Sequence, residues 1–151
     1  MSIYLGVDPG KSGAICSVDS HGFPDIVIKA DQTNRDICKA LKETAEHNNV
    51  RKAVIESVSA MPNQGVASTF KFGESFGVLL GLLTASEIPF ERVRPSVWCK
   101  EFGLKRKLNE SNTDWKNRHK QLAQELFPGI SITHATADAL LIAEYCRRKN
   151  T

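Results

Sequence analysis

The stretch IYLGVDPGKSGAI, residues 3–15, places an acidic residue at the end of a predicted core strand. Apolar side chains occupy every second position from Ile3 to Val7, which is the period-two pattern of a half-buried β-strand. Asp8 follows directly, and the sequence PGKSG then predicts a tight turn into a second strand at 13–18. We therefore expect an antiparallel hairpin that carries a carboxylate at the edge of its sheet.

The remaining apolar patterns alternate between short strands and longer helices. A third strand is predicted at 25–29, and a helix that is capped at 33–34 follows it. The chain then continues with a buried strand at 52–57, a long helix rich in small residues, a strand at 89–95, and helical segments up to the C-terminus. This order predicts a single α/β domain, residues 1–151, with the antiparallel hairpin at one edge of the sheet.

The size and composition are ordinary for a globular domain that buries its own core. The chain has 151 residues, of which 41% are hydrophobic and 25% charged. No apolar run reaches about 18 residues, so we expect no membrane span, and the N-terminus lacks the features of a signal peptide. The four cysteines have no CxxC spacing, which predicts reduced thiols in a cytosolic protein.

Basic charge is concentrated in residues 92–120. This segment holds nine Lys and Arg residues against three acidic ones, whereas the rest of the chain holds eleven against fourteen. Such a concentration predicts a polyanionic partner. A solvated helix face would give the same composition, so the charge alone leaves both interpretations open.

Three acidic residues stand inside or at the end of apolar runs: Asp8 in LGVD, Glu56 in AVIE and Asp138 in ADALLIA. Unpaired carboxylates beside a core are costly, so their convergence on a divalent cation would explain all three. Mg²⁺ takes carboxylate oxygens as ligands, and two-metal phosphoryl-transfer sites use them in this way. Each acid also has a structural alternative: a turn cap for Asp8, an exposed strand end for Glu56 and a helix-dipole partner for Asp138.

His134 precedes Asp138 by four residues, which places both on one face of a helix. A histidine at this position is a candidate fourth metal ligand or proton carrier. The alternative is an ordinary surface residue at the start of the helix. The other histidines, at positions 21, 47 and 119, stand in polar stretches, and the sequence assigns them no role.

The motifs GVDPGKSGAI, AVIES, PSVW and HATADALLIAEY occur in this order over essentially the whole chain. Together they resemble the RuvC-like Holliday junction resolvases of the RNase H-like superfamily, and among these the phage-type branch. The resemblance implies an RNase H-like α/β fold with a central mixed five-stranded sheet flanked by helices. It also implies a cytoplasmic, metal-dependent endonuclease, in a bacterium or a phage-infected host, that resolves four-way (Holliday) DNA junctions by paired symmetric nicks and uses no nucleotide cofactor.

The resemblance also assigns roles to the acidic residues. Asp8 would contact both of two Mg²⁺ or Mn²⁺ ions in each active site, and Glu56 and Asp138 would complete the acidic ligands. Relatives usually carry another acid three or four residues before the last one, where this chain has Ala135 and His134. His134 is the natural substitute, and an imidazole ligand suits Mn²⁺ better than Mg²⁺.

The DNA contacts implied by the resemblance lie in two segments. Lys116 matches a basic residue that contacts the scissile phosphate, with Lys100 and Arg118 behind it. An apolar or aromatic wedge is expected after Glu56, and its candidates are Met61, Phe70 and Phe72, although the phenylalanines could equally be ordinary core residues. The remaining predicted DNA-binding residues are Lys105, Arg106 and Lys107.

Paired nicks in a two-fold symmetric junction require two active sites, so a homodimer is implied. The resemblance puts the dimer contact on the long helix after Glu56, where glycines would permit close approach. The alternative is that this helix is a core helix of one chain. The apolar residues at helical spacing are Phe72, Phe76, Leu79, Leu80 and Leu83.

Three other functions compete with a junction resolvase. A ribonuclease H would perform the same chemistry on RNA–DNA hybrids. A sugar-kinase or actin-like ATPase also uses a hairpin with an acidic residue to bind phosphate, but 151 residues leave no room for its second half. A binding module without catalysis would keep the basic segment and retain the acids as relics. Metal-dependent cleavage separates this last alternative from the enzymes.

Overall fold

The computed structural model describes residues 1–10, 12–29 and 31–151. All five strands form one mixed sheet, which confirms the predicted α/β class. The predicted turn after Asp8 includes Lys11, which lies outside the described residues. The elements are β1 (Ser2–Val7), β2 (Ile15–Asp19), β3 (Pro24–Ile28), α1 (Asn34–His47), β4 (Asn49–Glu56), α2 (Val66–Ala85), β5 (Phe90–Val93), α3 (Pro95–Glu101), α4 (Asn112–Leu126) and α5 (His134–Asn150).

The strand order is β3-β2-β1-β4-β5. The first three strands along the chain pair antiparallel as a meander, whereas β4 pairs parallel with β1 and β5 pairs parallel with β4. In the parallel pair, Val7 of β1 lies opposite Ile55 of β4. The carboxyl ends of β1 and β4 therefore meet at the same edge of the sheet, and the residues that follow these ends are neighbours.

Each face of the sheet carries its own core. Leu5 and Val7 pack on the side of α1 and α2, whereas Tyr4 and Val54 pack on the side of α3, α4 and α5. This division follows from the alternation of side chains along each strand. All four cysteines are free thiols, as predicted.

Gly6 allows β1 and α5 to lie in direct backbone contact. A Cβ atom at this position would stand 2.1 Å from the carbonyl oxygen of Ala139 and 2.3 Å from the nitrogen of Ala143. Because no side chain fits in that space, only glycine permits this approach. It brings the end of β1, and therefore Asp8, next to the part of α5 that carries Asp138.

The helix boundaries follow local capping chemistry. Thr33 and Thr133 each accept a hydrogen bond from the third residue of the helix that follows, in a capping box. Helix α4 begins at Asn112, where the Ser111 side chain accepts a hydrogen bond from the Asp114 N–H. The predicted helical turns after β5 are confirmed as the short helix α3.

Helix α2 is apolar but largely exposed. By length and composition it could cross a membrane, although it contains Lys71 and Glu74, and only 17% of its most apolar window is buried. The residues it buries against the sheet are Phe76, Leu79 and Leu83. A core helix of a soluble protein passes the same test of length and composition. Because most of α2 is exposed, however, burial in the core of this chain does not account for its apolar surface.

Candidate active site

Three acidic residues converge on the face of the sheet that α5 covers. Asp8 follows Gly6 by two positions and Glu56 follows Val54 by two, so strand alternation directs both side chains toward that face. Asp138 lies on α5, directly before the Ala139 carbonyl that faces Gly6. The period-two pattern and one close backbone contact thus bring together acids from three distant parts of the chain.

The electrostatics of these acids show that they affect one another. Burial, with a smaller effect from the charge of Asp138, raises the pKa of Asp8 to about 6, against the opposing effects of the Gly10 N–H and Lys116. Burial, together with the charges of Asp8 and Asp138, raises the pKa of Glu56 to about 7, although the hydrogen bond from Trp98 opposes the shift. The site therefore concentrates negative charge in a partly buried place.

This donor set fits a divalent cation. Within residues 1–10, 12–29 and 31–151, no three His, Cys, Asp or Glu side chains already enclose a position for a metal ion. Burial and the neighbouring carboxylates nevertheless raise the pKa values of Asp8 and Glu56, as expected of oxygen ligands whose negative charges are not fully compensated. A hard divalent ion between them would remove that repulsion.

Two buried side chains are hydrogen-bonded to two of the three acids. The Trp98 Nε1–H donates a hydrogen bond to Glu56 Oε2 at 2.7 Å. His119 Nδ1 lies 2.7 Å from Asp138 Oδ1, and because a carboxylate oxygen accepts, this nitrogen carries the proton.

The prediction that His119 lies in polar surroundings and has no role was wrong about its surroundings. The ring is buried between Trp98 and Trp115, with centroid distances of 5.5 and 4.3 Å. Its immediate sequence neighbours are polar, but they point away from the core. The helical spacing of Trp115, His119 and Ala123 was the signal that places this histidine on the inner face of α4.

His134 lies at the first position of α5, exposed and apart from these contacts. Its Nε2 is 2.7 Å from Asn117 Oδ1 on α4. His134 and Asp138 share one helix, as the spacing predicts, but the described contacts of His134 are with Asn117. Its role as a fourth ligand or proton carrier stays a prediction. Lys116, in contrast, is close enough for its charge to lower the pKa of Asp8.

The predicted DNA-binding residues differ in how they are held. Arg118 donates hydrogen bonds to Glu110 Oε1 at 2.9 Å and to the Lys105 carbonyl at 3.0 Å, so it ties the loop before α4 to the helix. Arg106 bonds to the Glu110 carbonyl and to Asn112. Their contact with DNA stays a prediction. The predicted basic residues that are exposed are Lys100, Lys105, Arg106 and Lys107.

The wedge candidates also differ. Met61 is 67% exposed in the loop after β4, and Phe70 is 73% exposed on the first turns of α2. Phe72 is half-buried. Met61 and Phe70 are therefore free to meet a partner, whereas Phe72 also packs within the chain.

The fold is similar to that of solved Holliday junction resolvases. A Thermus thermophilus RuvC in complex with a Holliday junction substrate aligns with 100% of this chain and 98% of its own, at 16% identity and a TM-score of 0.65. A second T. thermophilus RuvC structure covers 99% and 97%, at 16% identity and a TM-score of 0.57. The yeast mitochondrial Holliday junction resolvase Ydc2 covers 96% and 77%, at 14% identity and a TM-score of 0.52.

These likenesses confirm the RNase H-like fold that the motifs implied. No protein-family model matches the chain, and no curated protein sequence does. The assignment to a phage-type branch stays a prediction.

Proposed function

We propose that this protein is a metal-dependent endonuclease that resolves four-way DNA junctions. The observation that carries the proposal is the convergence of Asp8, Glu56 and Asp138 at one edge of a RuvC-like sheet. Other proteins with this fold, according to the names of their solved structures, resolve or bind Holliday junctions. Such an enzyme would work in the cytoplasm of a bacterium or of a phage-infected cell.

The acids would hold two Mg²⁺ or Mn²⁺ ions, with Asp8 shared between them and His134 as a further ligand or proton carrier. Bound ions of this kind neutralise the scissile phosphate, activate a water and stabilise the leaving oxygen. Glu56 and Asp138 each present one oxygen that is already fixed by Trp98 or His119, which limits their rotation. Lys116, whose charge reaches Asp8, would contact the same phosphate.

The phosphate backbones of the junction would follow the exposed basic residues. Lys100 belongs to α3, and Lys105, Arg106 and Lys107 belong to the loop before α4. Their charges would release counterions from DNA, so binding should weaken steeply as salt rises. Met61 and Phe70 would contact unstacked bases at the junction centre, because both are exposed in the segment that follows the strand carrying Glu56.

A homodimer would supply the second active site through the exposed face of α2. Gly73, Gly77 and Gly81 recur every fourth residue, and no atom lies within 4 Å of a Cβ built on any of them. A second helix can therefore approach the backbone closely there. Of the five apolar residues predicted at the contact, three instead pack in the chain's own core. Phe72 and Leu80 are half-buried and remain available in part.

Cleavage of a labelled four-way junction tests the proposal. A matched linear duplex and an RNA–DNA hybrid would be incubated in parallel with Mg²⁺, Mn²⁺ or EDTA. We expect symmetric nicks in the junction only, dependent on metal, and lost in Asp8→Asn. Asp25→Asn, at an exposed position in β3, is the matched control and should cut normally.

Other outcomes would point to different functions. Cleavage of the hybrid alone would identify a ribonuclease H instead. Tight, salt-sensitive junction binding without cleavage in either metal would identify a binding module. In that case the acids would have no catalytic role.

A further inference from the structure

We propose that Trp98 and His119 are positioning residues that hold Glu56 and Asp138 in the orientation needed to bind divalent cations. This inference deepens the proposed function and rests on it. The two residues come from different helices, α3 and α4, and each donates a hydrogen bond of 2.7 Å to one carboxylate oxygen. Neither residue is itself a metal ligand in this proposal.

Trp98 is suited to hold a carboxylate because its indole nitrogen can only donate. The side chain is 1% exposed, so an N–H without an acceptor would be left unpaired in the core. Glu56 Oε2 is the acceptor in the structure. The bond occupies one oxygen and leaves Glu56 Oε1 free to face a cation.

His119 supports a positioning role more strongly, because its second ring nitrogen, Nε2, has no hydrogen-bond partner among the described residues. The ring is 5% exposed, and among the described residues Nε2 makes no hydrogen bond. A buried polar atom without a partner is rare and destabilising, and it calls for a reason. The bond from Nδ1 to Asp138 is the polar contact that a histidine provides here and an apolar residue of similar size would not.

The aromatic rings couple the two supports. His119 meets Trp98 edge-to-face at 74° and Trp115 at 68°. Trp98 thus touches both Glu56, through its N–H, and the ring that holds Asp138. Edge-to-face packing fixes ring orientation, so the two acids are held by one rigid aromatic cluster rather than by separate flexible side chains.

Variants can separate the donor from the packing. His119→Leu removes the donor and fills a similar volume, whereas His119→Asn places a side-chain amide N–H near the position of Nδ1. Trp98→Phe removes the indole N–H but keeps a ring. Trp115→Phe is the matched control, because Trp115 contacts His119 without donating to any of the three acids.

The measurement is Mn²⁺ binding to the DNA-free protein by isothermal titration calorimetry, with thermal unfolding in EDTA as a check of folding. Loss of residues that orient metal ligands typically lowers metal affinity about 10–100-fold. We expect losses in this range for His119→Leu and Trp98→Phe. His119→Asn and Trp115→Phe should stay within about 3-fold of the wild type, and junction binding in EDTA should be unchanged in all four.

The inference is overturned if folded His119→Leu and Trp98→Phe bind Mn²⁺ as tightly as the wild type. Cleavage by the wild type would then still support the proposed function. If His119→Leu does not fold, His119→Phe, which keeps a ring between the two tryptophans, decides in its place. If the wild type itself binds no Mn²⁺, the metal-dependent function fails, and the inference fails with it.

Discussion

Helices α5 and α2 are both long, but the chain buries mainly α5, although α2 is the more apolar of the two. Ten of the 17 residues of α5 are buried, against three of the 20 in α2. Helix α5 achieves this with small residues, Ala139 and Ala143, which lie directly on Gly6 of β1. The glycines of α2 face open space instead. The hydrophobicity of a helix therefore does not show whether its own chain buries it. For α5, the close approach to the sheet depends on the small residue Gly6 on the facing strand.

The two helices also differ in what they contribute to the proposed function. The buried helix fixes Asp138 beside the ends of two strands, so the acids depend on a rigid contact within the chain. The exposed helix would offer a surface to a second copy in the proposed dimer. Variants that affect one helix and not the other can test this division.

Gly6→Ala should have the largest effect, because the new methyl group would overlap backbone atoms of α5 at 2.1 and 2.3 Å. Backbone atoms cannot rotate away, so β1 and α5 must separate. We expect the free energy of unfolding to fall by about 3 kcal/mol or more. Urea denaturation followed by circular dichroism measures this. A loss below about 0.5 kcal/mol would show that the contact between β1 and α5 is looser than described.

Gly77→Ala is the matched substitution on α2, and it should act in the opposite direction. The position is exposed and helical, and nothing lies near the added methyl group. Alanine is the better helix former by about 0.8–1.0 kcal/mol, so the monomer should become slightly more stable. The contrast between the two alanine variants would show that the same change is destabilising only where the chain uses the glycine for contact.

Gly77→Glu tests whether a second copy covers α2. A two-fold contact would bring two added carboxylates together in a partly desolvated place, and like charges there cost several kcal/mol. We expect the dimer dissociation constant to rise about 100-fold by analytical ultracentrifugation. Gln124→Glu, on the exposed face of α4, adds the same charge elsewhere and should leave the dimer intact. A variant that dimerises like the wild type would exclude α2 as the interface.

The sequence predicted the strands and helices well because they depend on local patterns, whereas the metal-binding role of the acids stays a prediction. Strand alternation directs Asp8 and Glu56 to one face, and the helix cap predicted at 33–34 is Thr33. The roles of Trp98 and His119 were missed, because their hydrogen bonds join residues 42 and 19 positions apart. Contacts between elements of this kind follow from how α3 and α4 pack, which no local period encodes.

A local sequence pattern also could not predict that α2 is exposed. Phe76, Leu79 and Leu83 have the same helical spacing whether they face the sheet or a partner, and the sequence alone left both possibilities open. Only the packing shows that they lie inside the chain and that the glycine face lies outside. By length and composition alone, α2 would also pass as a membrane-spanning helix.

Glu56→Gln tests whether the buried, ionised carboxylate of Glu56 destabilises the metal-free folded protein. The pKa of Glu56 is about 7 in the folded protein, against an ordinary value of 4.5, so the native state holds the proton more tightly than the unfolded state does. Metal-free wild type should therefore lose stability as pH rises from about 4.5 to about 7 and remain at that lower level above it.

The glutamine variant has no charge to bury and still accepts from Trp98. Above about pH 7, without metal, we expect it to exceed the wild type by about 1–2 kcal/mol, with no difference near pH 4. Saturating Mg²⁺ should reverse the order, because only the wild type gains stability from binding. Thermal unfolding across pH in EDTA and in Mg²⁺ measures both effects. A variant that is less stable than the wild type at every pH in EDTA would show that Glu56 is a structural residue.

Lys107→Ala and Arg118→Ala should have the smallest effects. Both residues lie on the α5 side of the sheet, and the two variants compare an exposed basic side chain with one that is held in an ion pair. Lys107 is exposed, so its loss should lower the slope of log affinity against log salt by about 1 without changing stability. Arg118 is bonded to Glu110, whose side chain is 6% exposed, so the loss of Arg118 should also destabilise the loop before α4.

Junction binding in EDTA at several salt concentrations, together with thermal unfolding, distinguishes the two residues. Equal loss of stability in both variants would mean that the loop before α4 is held as a unit. A salt slope that changes in neither variant would mean that the DNA follows another surface. The fixed acids of the α5 side would then need a different basic region to bring the phosphate to them.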